Sequence, residues 1–212
     1  MARTRIKICG IRDVDSALAA AEAGADAIGF VFAPRSPRTI SPEAAWQIAS
    51  YLPPFITKVG VFVDASSEEI DRVREVCPFD YAQLHGSESA PLVRELGPWV
   101  IKSIRFDPLT IESEFKRWSV ISELDAVLVD GSAGGQGVAA DWEHLAACTE
   151  ACLHPLILAG GLTPENVSRA IDIVRPWAVD VSSGVESEPG IKDPRRIEAF
   201  CAAVREADKA SS

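Results

Sequence analysis

Short apolar runs rich in β-branched residues recur along the whole chain, and segments with helical periodicity separate them. The eight runs begin at Arg5, Asp26, Thr57, Tyr81, Trp99, Ala126, Pro155 and Ala178. Several helical segments open with a capping residue followed by proline, as at Ser41-Pro42, Thr163-Pro164 and Asp193-Pro194, an arrangement that helix starts favour. Because parallel neighbouring strands need a crossover between them, the alternation predicts a parallel sheet with a helix after each strand.

The length of the chain selects among the parallel folds. The chain has 212 residues, and a chain of about 200–250 residues built from eight strand-and-helix units most often closes into a (β/α)8 TIM barrel. An open doubly wound sheet is the alternative, but no G-x-G-x-x-G motif follows the first run. We therefore predict an α/β protein in which residues 1–212 form a single (β/α)8 barrel domain, with 112–118 as the least regular predicted helix.

The composition argues against two classes of binding partner. The formal net charge is -10 at pH 7, which disfavours nucleic acid and anionic membranes, since both bind basic faces. The five cysteines lack disulfide-like spacing, no leader pattern precedes them, and no apolar run approaches the ~20 residues of a membrane helix. We expect a cytoplasmic protein, and a monomer because no outward strip is unusually apolar.

Side chains alternate between the two faces of a strand, so parity sorts each run into two sets. In the first run Lys7 and Cys9 share one face, opposite two isoleucines. Later runs also end with polar residues opposite apolar ones, at Gln83, His85, Asp130 and Asp180. In the third run the apolar set is Val59, Val61 and Val63, which we expect to face the helices. Polar residues at the strand ends predict an active site at the mouth of the barrel.

Three of these polar groups can do chemistry near neutral pH. Cys9 can act as a thiolate base or nucleophile if its pKa is lowered, and Lys7 is a nearby cause of such a shift. Asp130 can act as a general acid, and His85 is the third group. Each has a structural alternative: a small buried cysteine, a helix cap and a hydrogen-bonded core histidine. We interpret Gly10 as clearance beside the thiol.

Glycines at the ends of the last two runs indicate a phosphate site. Gly160 and Gly161 follow the seventh run, and Ser183 and Gly184 lie at the end of the eighth. In (β/α)8 barrels these strand ends often bind a phosphate through backbone N–H groups, which glycine allows to approach closely. Two tight turns are the alternative.

Other loops carry weaker signals. "APRSPR" after the second run contains Arg35 and Arg38, and one guanidinium there can bind a carboxylate bidentately or remain solvated. The glycine loop 130–137 lacks the lysine of a P-loop, so we interpret it as a lid or wall of the mouth. Cys148, Cys152 and His154 are candidate metal ligands, but the cysteine pair lies in an Ala-rich helical stretch with no second pair, so we expect no metal site.

The chain resembles the phosphoribosylanthranilate isomerase family in several motifs, which occur in the family's order and on the predicted strand ends. These motifs are "KICGI", "GFVFAPRSPR", "KVGVFVD", "QLHG", "LAGGLTPENV" and "VDVSSGVESEPGIKD". The resemblance spans nearly the whole chain, from Arg5 to about Phe200. It implies a (β/α)8 enzyme of tryptophan biosynthesis that carries out an Amadori rearrangement without cofactor or metal.

The resemblance also implies roles for individual residues. Asp130 matches the general acid that opens the furanose ring, and Cys9 matches the general base that removes the C2′ proton. Arg38 matches the position that binds the anthranilate carboxylate, and Asp180 the position near the sugar hydroxyls. His85 and Lys7 lie in the mouth as substrate-binding candidates without a specified role. The phosphate cradle corresponds to Gly160, Gly161, Ser183 and Gly184.

Two departures and two alternatives accompany the resemblance. Gln136 lies where the family usually has threonine, and Ala140 lies where the family usually has phenylalanine. These departures bear on the order of the glycine loop and on the packing of the aromatic substrate. One alternative function is the related aminoaldose isomerisation of histidine biosynthesis. Enzymes of that reaction typically have a carboxylate where this chain has Cys9, and a second phosphate site is expected for their longer substrate. A catalytically silent phosphosugar-binding barrel, or one that docks to a neighbouring pathway enzyme, is the alternative from another class.

Overall fold

A computed structural model describes residues 3–131 and 141–210. Its eight parallel strands form a closed barrel in which each strand pairs with the next in sequence and the last pairs with the first. The strands are β1 Arg5–Cys9, β2 Ala27–Val31, β3 Thr57–Phe62, β4 Tyr81–Leu84, β5 Val100–Arg105, β6 Ala126–Asp130, β7 Leu156–Ala159 and β8 Ala178–Val181. The prediction of a (β/α)8 barrel is confirmed, and all eight predicted runs form strands.

Each strand is followed by an α-helix. The helices are α1 Val14–Glu22, α2 Pro42–Ala49, α3 Ser67–Val76, α4 Ala90–Leu96, α5 Ile111–Ser119, α6 Trp142–Cys148, α7 Val167–Val174 and α8 Pro194–Ala210. Between β8 and α8 the chain forms a short 3-10 helix, Ser183–Val185, and a small antiparallel hairpin, β9 Glu186–Glu188 and β10 Ile191–Lys192. None of the helices in the described ranges is long and apolar enough to cross a membrane.

The helix starts follow the predicted caps with one exception. Ser41 caps α2 by accepting a hydrogen bond from the Ala44 amide, and α8 begins at Pro194 as predicted. The predicted start at Thr163 is wrong, because α7 begins only at Val167. The side chain of Asn166 instead accepts a hydrogen bond from the Thr163 amide, so the segment before the helix forms a turn.

The two faces of each strand are buried in different layers. One face packs against the helices in a large apolar core that includes Ile8, Phe30 and Leu84. The other face fills the barrel interior, which includes Cys9, Val59 and Val61. The prediction for β3 is therefore wrong. Its valines fill the interior, since the lower layers of a barrel need apolar side chains just as the outer shell does.

Large apolar side chains are exposed at the N-terminal end of the barrel, in the loops that lead from helices into strands. Phe55 is fully exposed, Leu153 is 76% exposed and Trp99 is 56% exposed. Phe55 and Leu153 lie outside the predicted strands and helices, and Trp99 is the first residue of the fifth predicted run, so the sequence pattern did not indicate that these side chains are exposed. The expected monomer stays a prediction, since single exposed apolar side chains are common on monomeric proteins.

Candidate active site

The C-terminal ends of the strands surround a cavity of about 600 Å³. The cavity collects most of the residues that the sequence singled out, although they are far apart in the chain. Its lining includes Cys9, Arg38, His85, Asp130, Gly160, Gly161, Asp180 and Ser183. Two predicted residues lie just behind this surface: Lys7 is only 4% exposed, and Gly184 supports the turn that carries Ser183.

Lys7 and Asp180 form a buried ion pair at the floor of the cavity. They are register partners on β1 and β8, and Lys7 Nζ donates to Asp180 Oδ1 at 3.0 Å. Burial disfavours the Lys7 ammonium, but Asp180 and Cys9 outweigh burial, so the pKa of Lys7 is raised. Lys7 therefore remains a cation inside the barrel, directly beside the thiol.

The Cys9 thiol is buried, and burial raises its pKa. Lys7 acts in the predicted direction by favouring the thiolate, Asp180 opposes it, and Lys192 adds a second lowering effect. The net shift of the Cys9 pKa is upward, so the lowered pKa named as the condition for a thiolate is not found, although Lys7 acts in the lowering direction. The desolvation of a thiolate in the barrel interior exceeds the stabilisation by two ammonium groups.

Two glycines make room for this arrangement. Gly29 on β2 is the register partner of Cys9, and a Cβ there would lie 2.8 Å from Cys9 Sγ and 3.3 Å from Lys7 Cε. Gly10, with φ of +80°, instead faces Arg38, whose Cδ would lie 2.6 Å from an added Cβ. The interpretation of Gly10 as clearance beside the thiol is therefore wrong, and Gly29 has that role.

Arg38 is held by a carboxylate that sequence reasoning missed. Arg38 Nε donates to Glu186 Oε1 at 2.7 Å and Nη2 donates to Oε2 at 2.8 Å. Lys192 Nζ also donates to Glu186 Oε1, at 2.8 Å. A guanidinium has five N–H donors, so this bidentate pairing fixes its plane and leaves the Nη1 edge for another anion. The β9–β10 hairpin thus positions Arg38 at the rim of the cavity.

His85 bridges β4 and β6. His85 Nε2 lies 3.3 Å from Asp130 Oδ2, and His85 Nδ1 lies 3.0 Å from the Gln83 side-chain nitrogen. Gln83 is buried below the ring on the same face of β4. Both residues lie in the mouth of the barrel as predicted, and the structure brings His85 and Asp130 into contact.

The two glycine-bearing turns meet at one side of the cavity. Gly160 and Gly161 adopt φ values of +85° and +69°, a region that side chains other than glycine rarely adopt. A Cβ at Gly184 would lie 1.9 Å from the Leu162 carbonyl oxygen, so the turn after β8 touches the turn after β7 through this glycine. The arrangement exposes backbone of both turns to the cavity, where N–H groups can bind an anion.

The sequence patterns did not indicate every residue that supports the candidate site. Glu186 and Lys192 lie in a hairpin without strand periodicity, and Gly29 gains meaning only through its register with Cys9. Parity placed Gln83 correctly, but no sequence pattern indicated its contact with His85.

The predictions for the glycine loop, including Gln136 and Ala140, fall outside the described residues. Within residues 3–131 and 141–210, no group of three or more His, Cys, Asp or Glu side chains could hold a metal ion.

Comparisons with known proteins identify relatives that match nearly the whole chain. Residues 6–203 match the family described as N-(5'phosphoribosyl)anthranilate (PRA) isomerase. The N-(5'-phosphoribosyl)anthranilate isomerase of Pseudomonas putida (strain GB-1) is 47% identical over 210 residues, which cover 98% of this chain and 100% of that protein.

Solved structures give the same picture. The phosphoribosyl anthranilate isomerase of Thermotoga maritima matches with a TM-score of 0.88 and 42% identity, covering 96% of this chain and 99% of that chain. A phosphoribosyl anthranilate isomerase in complex with reduced 1-(o-carboxyphenylamino)-1-deoxyribulose 5-phosphate matches with a TM-score of 0.86 and 40% identity. That match covers 96% of this chain and 99% of the other.

Proposed function

Since the chain belongs to the N-(5'-phosphoribosyl)anthranilate isomerase family, we propose that it acts by an Amadori rearrangement with Asp130 as general acid and Cys9 as general base. The enzyme is an isomerase of tryptophan biosynthesis. The proposed substrate is N-(5-phosphoribosyl)anthranilate and the product is 1-(2-carboxyphenylamino)-1-deoxy-D-ribulose 5-phosphate. The observation that carries the proposal is that one cavity holds both groups, on β1 and β6, beside the glycine turns of β7 and β8.

The first step opens the sugar ring. Asp130 gives its proton to the furanose oxygen while the bond between that oxygen and C1′ breaks. The lone pair of the anthranilate nitrogen forms the new C=N bond, which gives a protonated Schiff base. The resulting Asp130 carboxylate lies 3.3 Å from His85 Nε2, and a hydrogen bond from a protonated Nε2 would favour this charged form.

The second step moves a proton from C2′. The Cys9 thiolate removes this proton, the C2′–H electron pair becomes the C1′=C2′ bond, and the C=N pair returns to nitrogen. The enolamine then loses its hydroxyl proton and gains a proton at C1′, which gives the ketone. Lys7 supports this step because its ammonium favours the thiolate over the thiol, against the effect of burial.

Binding both anionic ends of the substrate fixes its orientation between acid and base. The phosphate is assigned to the turns that contain Gly160, Gly161, Ser183 and Gly184, where backbone N–H groups meet the cavity. The anthranilate carboxylate is assigned to the Nη1 edge of Arg38, which Glu186 leaves for another partner. Asp180 is assigned to the sugar hydroxyls.

Turnover measured by the loss of anthranilate fluorescence tests these assignments. General acid–base catalysis contributes about 10²–10⁴-fold, so Cys9→Ala and Asp130→Asn should each lose at least about 10²-fold in kcat. Affinity for a phosphate-bearing product analogue should stay near that of the unmodified enzyme. Cys148→Ala, which changes a cysteine outside the cavity, is the matched control. Full turnover by either active-site variant would reject the role of that residue.

The cellular setting is also a proposal. The net charge of -10 supports a small-molecule substrate and no nucleic-acid or membrane partner, and the reaction is placed in the cytoplasm. Light scattering tests the expected monomer, whose mass is 22.8 kDa. A larger mass would overturn it and would direct attention to the exposed apolar residues at the N-terminal end, such as Phe55.

A further inference from the structure

Gln83 is buried directly below the proposed acid and its histidine neighbour, yet the mechanism above gives it no role. Its side chain is 1% exposed and lies on the inner face of β4, two residues before His85. Its amide nitrogen is 3.0 Å from His85 Nδ1. Its carbonyl oxygen has no hydrogen-bond partner within the described part of the chain. A buried amide costs free energy unless it is paired, so its one contact, to the imidazole, needs an explanation.

The contact determines which imidazole nitrogen carries the proton. A neutral imidazole has one donor and one acceptor nitrogen. If the Gln83 amide donates to Nδ1, then Nδ1 is the acceptor and the proton must lie on Nε2. His85 Nε2 is the atom that faces Asp130, at 3.3 Å from Oδ2. The chain Gln83 to His85 to Asp130 therefore runs in one direction, with every N–H pointing toward the carboxyl group.

The opposite orientation of the Gln83 amide is less favourable. A turned amide would place its oxygen at Nδ1 and would leave two buried N–H donors unpaired among the described residues, whereas the present orientation leaves one oxygen and one N–H unpaired there. It would also require the proton on Nδ1, and the bare Nε2 lone pair would then face Asp130. The structure thus favours the donating orientation.

We propose that Gln83 is a positioning residue that holds His85 in the Nε2–H tautomer, so that His85 cannot accept the acid proton of Asp130. The catalytic part of this proposal rests on the proposed function, in which Asp130 is the acid. With Nε2 already protonated, the proton of Asp130 is available to the substrate, and His85 stabilises the carboxylate that remains. Without Gln83, the ring can move its own proton to Nδ1 and take the Asp130 proton at Nε2.

Nitrogen NMR of His85 tests the tautomer without any substrate. The chain has three histidines, so the ring resonances can be assigned with single-histidine variants. At a pH where titration of the same resonances shows a neutral ring, the unmodified protein should show a protonated Nε2 and a bare Nδ1. A proton on Nδ1 would overturn the proposal, because Gln83 would then be an acceptor.

A pair of variants separates Gln83 from Asp130 as the cause. Asp130→Asn replaces the carboxylate with an amide that can pair with either tautomer, so Gln83 alone should keep the Nε2–H form. Adding Gln83→Met, which removes the donor at similar volume, should give a mixture whose two nitrogen resonances move toward each other. Identical spectra for the single and double variants would show that Gln83 does not set the tautomer.

Kinetics then test the catalytic consequence. Gln83→Met should lower kcat by about tenfold with little change in KM, a smaller loss than the about 10²-fold or more expected when the acid itself is removed. Tyr81→Phe, on the same face of β4 but at the opposite end of the strand, is the matched control. An unchanged kcat for Gln83→Met would reject the positioning role. Full turnover by Asp130→Asn would instead reject the acid assignment, and the NMR result would stand independently.

Discussion

Glu186→Gln removes one negative charge from the centre of the network that positions Arg38. Glu186 is 4% exposed and accepts hydrogen bonds from Arg38 Nε, Arg38 Nη2 and Lys192 Nζ, at 2.7, 2.8 and 2.8 Å. Glutamine has nearly the same shape but no charge, so the substitution tests the electrostatic contribution with little change in packing. Lys192, whose side chain is 1% exposed, would be left without its buried counter-charge.

The expected loss of stability follows from this burial. Removing one partner of a buried ion pair costs about 3–5 kcal/mol. Arg38 is 23% exposed and can turn toward solvent, so the lower end of that range applies. For a chain of this size, about 3 kcal/mol corresponds to a decrease in Tm of about 10 °C. The KM for substrate should also rise, because Arg38 loses the contact that fixes its plane.

Thermal unfolding and steady-state kinetics measure the two effects. Glu188→Gln is the matched control, since Glu188 lies on the same strand and is exposed, and it should leave both Tm and KM unchanged. Glu186→Gln combined with Lys192→Met should be more stable than Glu186→Gln alone, because the second change removes the stranded cation. A change in Tm of less than about 2 °C for Glu186→Gln would refute the reasoning.

Three further predictions concern the thiol and the acid stability of the fold. Gly29→Ala places a Cβ 2.8 Å from Cys9 Sγ. The substitution should therefore lower the free energy of unfolding in urea by about 1–3 kcal/mol and reduce kcat. An unchanged kcat would show that the thiol position is not critical. Because burial raises the pKa of Cys9, kcat/KM should increase with pH into the alkaline range, and a profile that is flat above neutral pH would argue against a thiolate base. Burial acts to raise the pKa of Glu88, but the Lys102 ammonium outweighs it and the net pKa is lowered. The stabilisation is therefore present above the ordinary pKa of a glutamate and is lost as pH falls through the lowered value. The unfolding free energy of Glu88→Gln should depend less on pH in that acidic range, and equal slopes for the two proteins would contradict this.

The fold and the principal site residues could be read from local patterns. Strand period and helix caps depend only on neighbouring residues, and together with the chain length they predicted the closed barrel. Parity then placed Cys9, His85, Asp130 and Asp180 on the inner face, because alternation along a strand does not depend on the rest of the molecule. For Val59 the inner face was predicted wrongly, since both faces of a barrel strand are buried and apolarity alone does not distinguish them.

The electrostatic and steric details required the tertiary structure. Glu186 reaches Arg38 across 148 positions of the chain, and Gly29 lies beside Cys9 only because of the register between β1 and β2. The pKa of the thiol depends on the balance between burial and the cations around it, and neither quantity is encoded in neighbouring residues. The sequence alone therefore determined the architecture and placed the candidate reactive groups on the inner face of the strands. Contacts between distant segments decided how these groups ionise, which residues position them and how much space they have. All three depend on distances that only the closed barrel defines.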